Sequence, residues 1–306
     1  MSYSSIKEKI DSGKVVILDG GIGGELERNG ASMDKGLWCG KCSVENPELV
    51  LKIHENYIKA GADVITSNTY ALTPISMKQY GYETNIKDWN VKSINIAKKA
   101  AKKTGKEVAI AGSVSTYGSF FKLGIKNLIP GFKEHIKILV DAGADLIILE
   151  AMSSQTKIVE TLIECSQKIN IPVWLSISCA LDLKKNTLMH GYQESISNSE
   201  ANFYDKFDEA INNFKKIHNG PILIAHSDIK ITNQAVKSLK KFYNGTIGAY
   251  PNNGYFEKPN WKYVENLSPK NYLDEAKSWV KNGAQIIGGC CGVGFEEIRA
   301  ISILKN

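Results

Sequence analysis

One unit recurs along this chain: a short apolar run, a loop, then an amphipathic helix. The runs are VVILDGG from Val15, DVITSNTY from Asp63, EVAIAGSV from Glu107 and DLIILEAM from Asp145. They continue as VWLSISCA from Val173, ILIAHSD from Ile222, TIGAYPN from Thr246 and QIIGGCCG from Gln285. Each is of strand length and apolar without clean alternation, the pattern of a strand buried on both faces in a parallel sheet. The helices are well punctuated. Asn46 and Pro47 open one that Gly61 closes, Ser268 and Pro269 open another that Gly283 closes, and a third ends at Gly143. Three helix-to-strand junctions, AGADVI, AGADLI and NGAQII, are nearly the same. Eight such units predict an α/β protein in which residues 1–306 form a single (β/α)8 TIM barrel. A doubly wound open sheet is the rival, but DGGIGGEL lacks the spacing of the dinucleotide-binding glycine fingerprint. Three long pieces, 115–131, 181–202 and 250–269, read as irregular. All follow strands, which puts them on the barrel face that carries active sites.

Charge and composition narrow the partners. The net charge is +6, but the only arginines are Arg28 and Arg299, and lysines fall on helices such as NIAKKAAKKTGK. Arginine is the usual reader of phosphates and base edges, so a solvated lysine face is expected and nucleic acid is not. No apolar run approaches the ~18 residues that span a bilayer, and MSYSSIKEKIDSGK lacks the apolar core of a signal peptide. The expected setting is therefore cytoplasmic, with no membrane partner. Oligomeric state is not legible. In that setting the six cysteines, Cys39, Cys42, Cys165, Cys179, Cys290 and Cys291, are better read as metal ligands or reactive thiols than as a disulfide framework.

Barrel strands carry chemistry at their C-terminal ends. Those ends hold Asp19, Asn68, Ser113, Glu150, Cys179, the trio His226, Ser227 and Asp228, Tyr250 with Asn252, and Cys290 with Cys291. Asn68, Ser113 and Ser153 read as caps or turn residues. Asp19 and Glu150 need pairing, hydration or a cation at a barrel mouth. The vicinal cysteines have three readings: buried hydrophobes, a strained redox disulfide, or zinc thiolates. Gly288 and Gly289 before them permit a sharp turn and the close approach of a ligand, which favours function.

Several stretches together resemble the homocysteine S-methyltransferase family. They are DGGIGGELERNG, Leu37–Trp38, NPELVLKIHENYIKAGADVITSNTY, AGSVSTYGS, GADLIILEAMSS, GAYPNNG followed by Trp261, and GAQIIGGCCGVGFEEIRAI. The resemblance implies a (β/α)8 barrel with a catalytic zinc. It implies transfer of a methyl group from a small sulfonium or ammonium donor (S-methylmethionine, S-adenosylmethionine or betaine) to the thiol of homocysteine, giving methionine. Cys290 and Cys291 match zinc ligands. Asp19 and Glu150 match the carboxylates that hold the substrate ammonium group, and Gly20 and Gly21 begin a turn whose amides could bind its carboxylate. A selenocysteine-type variant belongs to the same reading.

One position departs from the family pattern. The third zinc ligand there is a cysteine at the end of the sixth strand, and Ser227 occupies that place. The candidate replacements are His226, Asp228 and the thiols of Cys39 and Cys42, or else only two protein ligands remain, with water or substrate filling in and the affinity much reduced. His226 is preferred, since imidazole is an ordinary zinc ligand one residue from the expected position. Strand alternation aims neighbouring residues to opposite faces, so His226 needs a bulge to turn inward. The alternative is a divergent, zinc-deficient barrel that binds an amino-acid-like ligand without methyl transfer.

Overall fold

The structure, a computed structural model, describes residues 3–118, 123–193, 195–196, 201–257, 262–264 and 266–305. Eight parallel strands follow one another around a ring: β1 Val16–Ile17, β2 Val64–Thr66, β3 Ala109–Val114, β4 Leu146–Met152, β5 Val173–Ile177, β6 Ile222–Asp228, β7 Ile247–Asn252 and β8 Ala284–Ile287. Strand β1 pairs with β8 through Val16 opposite Ile286. On its other side a parallel bridge from Leu18 to Val64 joins β1 to β2. The seam is held by the N–H of Asp63 on the carbonyl of Ile17 at 2.7 Å and by Asp19 on Val64 at 3.1 Å.

The lack of alternation has a direct structural cause. Successive strand residues point to opposite faces, and here both faces are buried. Val16, Leu18, Val64, Ala111, Ile148 and Trp174 belong to a cluster inside the ring. Ile17, Ile65, Ile110, Ile147, Leu175 and Ile287 belong to the layer between the strands and the helices. The helix Ser4–Asp11 plugs the N-terminal end of the barrel: Ile6 is buried in the inner cluster and the Tyr3 hydroxyl accepts from Trp174 Nε1 at 2.9 Å. With that end closed, the free opening lies at the C-terminal ends of the strands.

Helix punctuation is largely as expected. Pro47 is the first residue of the helix Pro47–Ala60, and Gly61 ends it at φ 115°. Asn46 takes the N-cap place without a side-chain cap bond, whereas Ser268 Oγ accepts from the N–H of Asn271.

The three pieces read as irregular are corrected. The helix Ile125–Asp141 runs through Pro130 and Gly131. These breakers are overridden because Leu128, Phe132, Ile136 and Leu139 recur at helical spacing and are all buried. Between β5 and β6 the chain builds three antiparallel strands, Cys179–Asp182, Thr187–Gln193 and Ala201–Lys206. The middle one joins the barrel by a parallel bridge from Gln193 to Ser227. A two-stranded ribbon, Tyr255–Glu257 with Lys262–Val264, lies in the third piece, and Trp261 falls outside the described residues. Among the described residues no helix is long and apolar enough to cross a membrane.

Candidate active site

The vicinal cysteines are fixed by the backbone around them. After β8 the N–H of Gly289 donates to the carbonyl of Asp19 at 3.0 Å, and that of Cys290 to Pro251 at 2.9 Å. The N–H of Asn253 donates to the carbonyl of Cys291 at 2.8 Å. The loops after β1 and β8 pack backbone to backbone. A Cβ on Gly21 would lie 2.6 Å from the carbonyl oxygen of Cys290, so no larger residue fits without displacing the cysteine loop. Arg28 Nη2 donates to the carbonyl of Gly292 at 3.0 Å and pins the far side of that loop.

His226 reaches the same place through a bulge. Ala225 pairs with Tyr250 and Asp228 with Asn252, so β6 has one residue more than β7 over this span. His226 sits in that span at φ 47°, in the left-handed region, which costs a non-glycine residue roughly 1–2 kcal/mol. Its Nδ1 lies 4.0 Å from Cys290 Sγ, and the two sulfurs are 3.9 Å apart. One ligand atom from each of His226, Cys290 and Cys291 lies within 4.8 Å of the others. Sulfurs about 2.3 Å from a tetrahedral zinc are about 3.8 Å apart, as these two nearly are. A zinc-bound imidazole nitrogen lies about 3.6 Å from each sulfur, so the ring must close in by a few tenths of an ångström on Cys290 to complete a three-donor set with a fourth position open. The imidazole also stacks on Tyr192 at 5.0 Å between centroids.

The other candidate ligands are committed elsewhere. Ser227 Oγ accepts from the N–H of Cys179 and donates to the carbonyl of Ala225, both at 2.8 Å. Asp228 accepts from the N–H groups of Lys230 and Ile196, capping the helix Ile229–Phe242. Cys39 lines the cavity and points its thiol at Asn68 Oδ1, 3.2 Å away. Cys42 is buried, with its thiol toward the carbonyl of Ser32.

A cavity of about 370 Å³ opens in front of the cluster, and Asp19, Glu150, Cys290, Cys291 and His226 all line it. Asp19 is 2 % exposed and accepts from the N–H of Thr66 at 2.7 Å and from its hydroxyl at 2.8 Å. Burial outweighs those bonds and raises its carboxyl to about 8. Glu150 accepts from the hydroxyl of Ser113, yet burial and the nearby Cys291 raise it to about 7. A second bulge follows Glu150: Leu149 and Met152 pair with Leu175 and Ile177, and Ala151 sits at φ 51°. Ser176 Oγ braces it, accepting from the N–H of Ala151 at 3.0 Å and from the Tyr250 hydroxyl at 2.5 Å. Gly20, Gly21, Gly23 and Gly24 also line the cavity. The N–H of Gly21 donates to Val293, while those of Ile22, Gly23 and Gly24 open the helix Ile22–Arg28 and have no intrahelical acceptor.

Sequence reasoning missed the aromatic wall. Trp38, Tyr70, Tyr117 and Tyr192 line the cavity, with Trp38 and Tyr70 edge to face at 6.3 Å. Tyr70 and Tyr117 follow β2 and β3 closely, a position that could have flagged them. Tyr192 could not be flagged, because its stretch did not read as a strand.

The homocysteine S-methyltransferase family profile matches residues 16–304. Homocysteine S-methyltransferase 3 of Zea mays is 28% identical to this chain, over 99% of it and 94% of the maize protein. Selenocysteine Se-methyltransferase of Brassica oleracea var. italica is 27% identical, over 98% of this chain and 92% of its own length. Among solved structures, the metallated form of the homocysteine methyltransferase MmuM from Escherichia coli superposes with a TM-score of 0.75 at 24% identity, covering 97% of this chain and 99% of that one.

Proposed function

The chain belongs to the homocysteine S-methyltransferase family, and from that premise we propose that it methylates homocysteine at a zinc centre held by Cys290, Cys291 and His226. The observation that carries this reading is the convergence of those three side chains at the head of a cavity that also holds Asp19 and Glu150. The zinc-deficient alternative is not favoured, and the grouping of His226 with Cys290 and Cys291, without a sixth-strand cysteine, speaks against it.

Held by Cys290, Cys291 and His226, a zinc ion would supply the Lewis acidity that keeps a bound thiol deprotonated at neutral pH. The protein does the rest. Asp19 and Glu150 receive the substrate ammonium group, and the ammonium in turn favours their anionic forms against the burial that raises them. The first-turn amides of Ile22 to Gly24, beside Gly20 and Gly21, receive the carboxylate. Trp38, Tyr70 and Tyr117 line the cavity, where a cationic donor lying over a ring face would gain cation–π attraction. In the transfer the homocysteine sulfur forms the new S–CH3 bond. The donor's bond to the same methyl breaks, and its electron pair stays on the donor's sulfur or nitrogen, which thereby loses its positive charge. The thiol proton passes to solvent when the thiol is deprotonated.

The cavity of about 370 Å³ is near the lower end for small-molecule sites and must hold substrate and donor together. That favours a donor of amino-acid size, S-methylmethionine or betaine, over the nucleoside-bearing S-adenosylmethionine. We place the activity in methionine biosynthesis in the cytoplasm, with residues 1–306 acting as one barrel. The test is methionine formation from homocysteine with each donor in turn. Transfer from S-methylmethionine or betaine is expected, and failure with all three donors contradicts the proposal.

A further inference from the structure

Ser227 adjoins His226 in the chain, yet its hydroxyl is spent on two backbone groups, and those bonds hold the shape of the strand end. The hydroxyl donates to the carbonyl of Ala225, two residues back in the same strand, at 2.8 Å. It accepts at 2.8 Å from the N–H of Cys179, the first residue of the antiparallel excursion. Ser227 is fully buried, so neither bond has water as a substitute. Its backbone bridges Gln193 at the end of the excursion's middle strand. The same strand carries Tyr192, whose ring stacks on the imidazole of His226.

Both ends of the bulge are therefore anchored through one residue. The bond to Ala225 spans His226 and ties down the backbone that must stay at φ 47°. The bond to Cys179 docks the excursion that brings Tyr192 against the other side of the ring. An imidazole on a strained backbone keeps one orientation only where its surroundings over-determine it. Ser227, through the backbone of Ala225, and Tyr192, through ring stacking, are two of the groups that do so here.

We propose that Ser227 is a positioning residue for the metal centre: it locks the β6 bulge so that His226 faces Cys290 and Cys291, and it is not itself a ligand. This rests on the zinc reading above. It also gives a physical account of a serine at this place. A thiol is a weak donor and acceptor and cannot hold two backbone groups as a hydroxyl does.

The test uses Co2+ as a spectroscopic substitute for zinc, with zinc affinity from chelator competition and apo-protein melting as the folding control. Wild type is expected to bind Co2+ with charge-transfer bands of two thiolates. Ser227→Ala is expected to lose roughly 10- to 100-fold in zinc affinity, the range for groups that orient a metal ligand. Its ligand-field bands should shift, while the charge-transfer intensity of two thiolates is kept. Ser227→Cys is expected to show no third thiolate, because position 227 faces away from the site, and this variant decides the question should the alanine protein not fold. Wild-type affinity and spectrum in Ser227→Ala, or a third thiolate in Ser227→Cys, overturn the positioning role alone. Absence of Co2+ binding by wild type overturns the metal reading itself, and the role of Ser227 with it.

Discussion

His226 Nδ1 and Cys290 Sγ lie 4.0 Å apart although one belongs to β6 and the other to the loop after β8, with the whole of β7 between those strands. A regular strand could not make this contact at this register. The extra residue in β6 and the left-handed backbone of His226 make it. If the imidazole is a ligand, His226→Ala should lower zinc affinity by more than the roughly 10- to 100-fold that outer-shell changes produce. Competition against a chelator measures this, and unchanged affinity removes His226 from the site.

Glu150 and Asp19 tie folding stability to pH. Its carboxyl ordinarily titrates at 4.5 and stands at about 7 in the fold, and that of Asp19 moves from 3.8 to about 8. Between those limits the folded, ligand-free protein holds protons that the unfolded chain has released. Its stability therefore falls as pH rises from about 5 to 8. Glu150→Gln should flatten that fall in calorimetric melts. The same variant should weaken homocysteine binding roughly 10- to 100-fold, corresponding to a charge-assisted contact of about 1.5–3 kcal/mol. A variant that binds as wild type does takes Glu150 out of ammonium recognition.

Gly21→Ala probes the packing of the β1 and β8 loops. Its Cβ would meet the carbonyl of Cys290 at 2.6 Å, so the cysteine loop must shift. Misplacements of about 1 Å cost on the order of 100-fold in rate. The expected result is a folded barrel with kcat/KM for methyl transfer reduced by about that factor. Full activity would show that the loop gives way without consequence.

At the opposite end of the barrel, Asp63 accepts from the N–H of Ile17 at 2.9 Å, from Lys9 Nζ at 2.6 Å and from Lys305 Nζ at 2.8 Å. It thus fastens both ends of the described chain to the floor of the barrel. Asp63→Ala leaves the buried N–H of Ile17 without its partner and should destabilise the protein by about 1–3 kcal/mol. Urea titration reads this directly, and metal content should not change.

The barrel was legible because burial on both strand faces leaves uninterrupted apolar runs, and Gly61 and Gly143 mark helix ends plainly. Asp19, Glu150, Cys290 and Cys291 were legible by position, at the ends of those runs. The bulge at His226 was not. A single inserted residue leaves no trace in hydrophobic periodicity, so sequence could state that it was needed but not that it exists. The excursion between β5 and β6 stayed hidden for a related reason. Thr187–Gln193 mixes Thr, His, Gly and Gln among its apolar residues, and its pairing partners are fixed only by tertiary contacts. Tyr192, and the brace that Ser227 forms with Cys179, lay hidden with it.

The most direct test of the metal centre is zinc-edge X-ray absorption on protein purified without chelator, before and after addition of homocysteine. The account predicts a first shell of two sulfurs, one imidazole nitrogen and one further light atom. With homocysteine the light atom should give way to a third sulfur. A shell that contains no imidazole, does not change with homocysteine, or cannot be measured because the protein carries no zinc would contradict it.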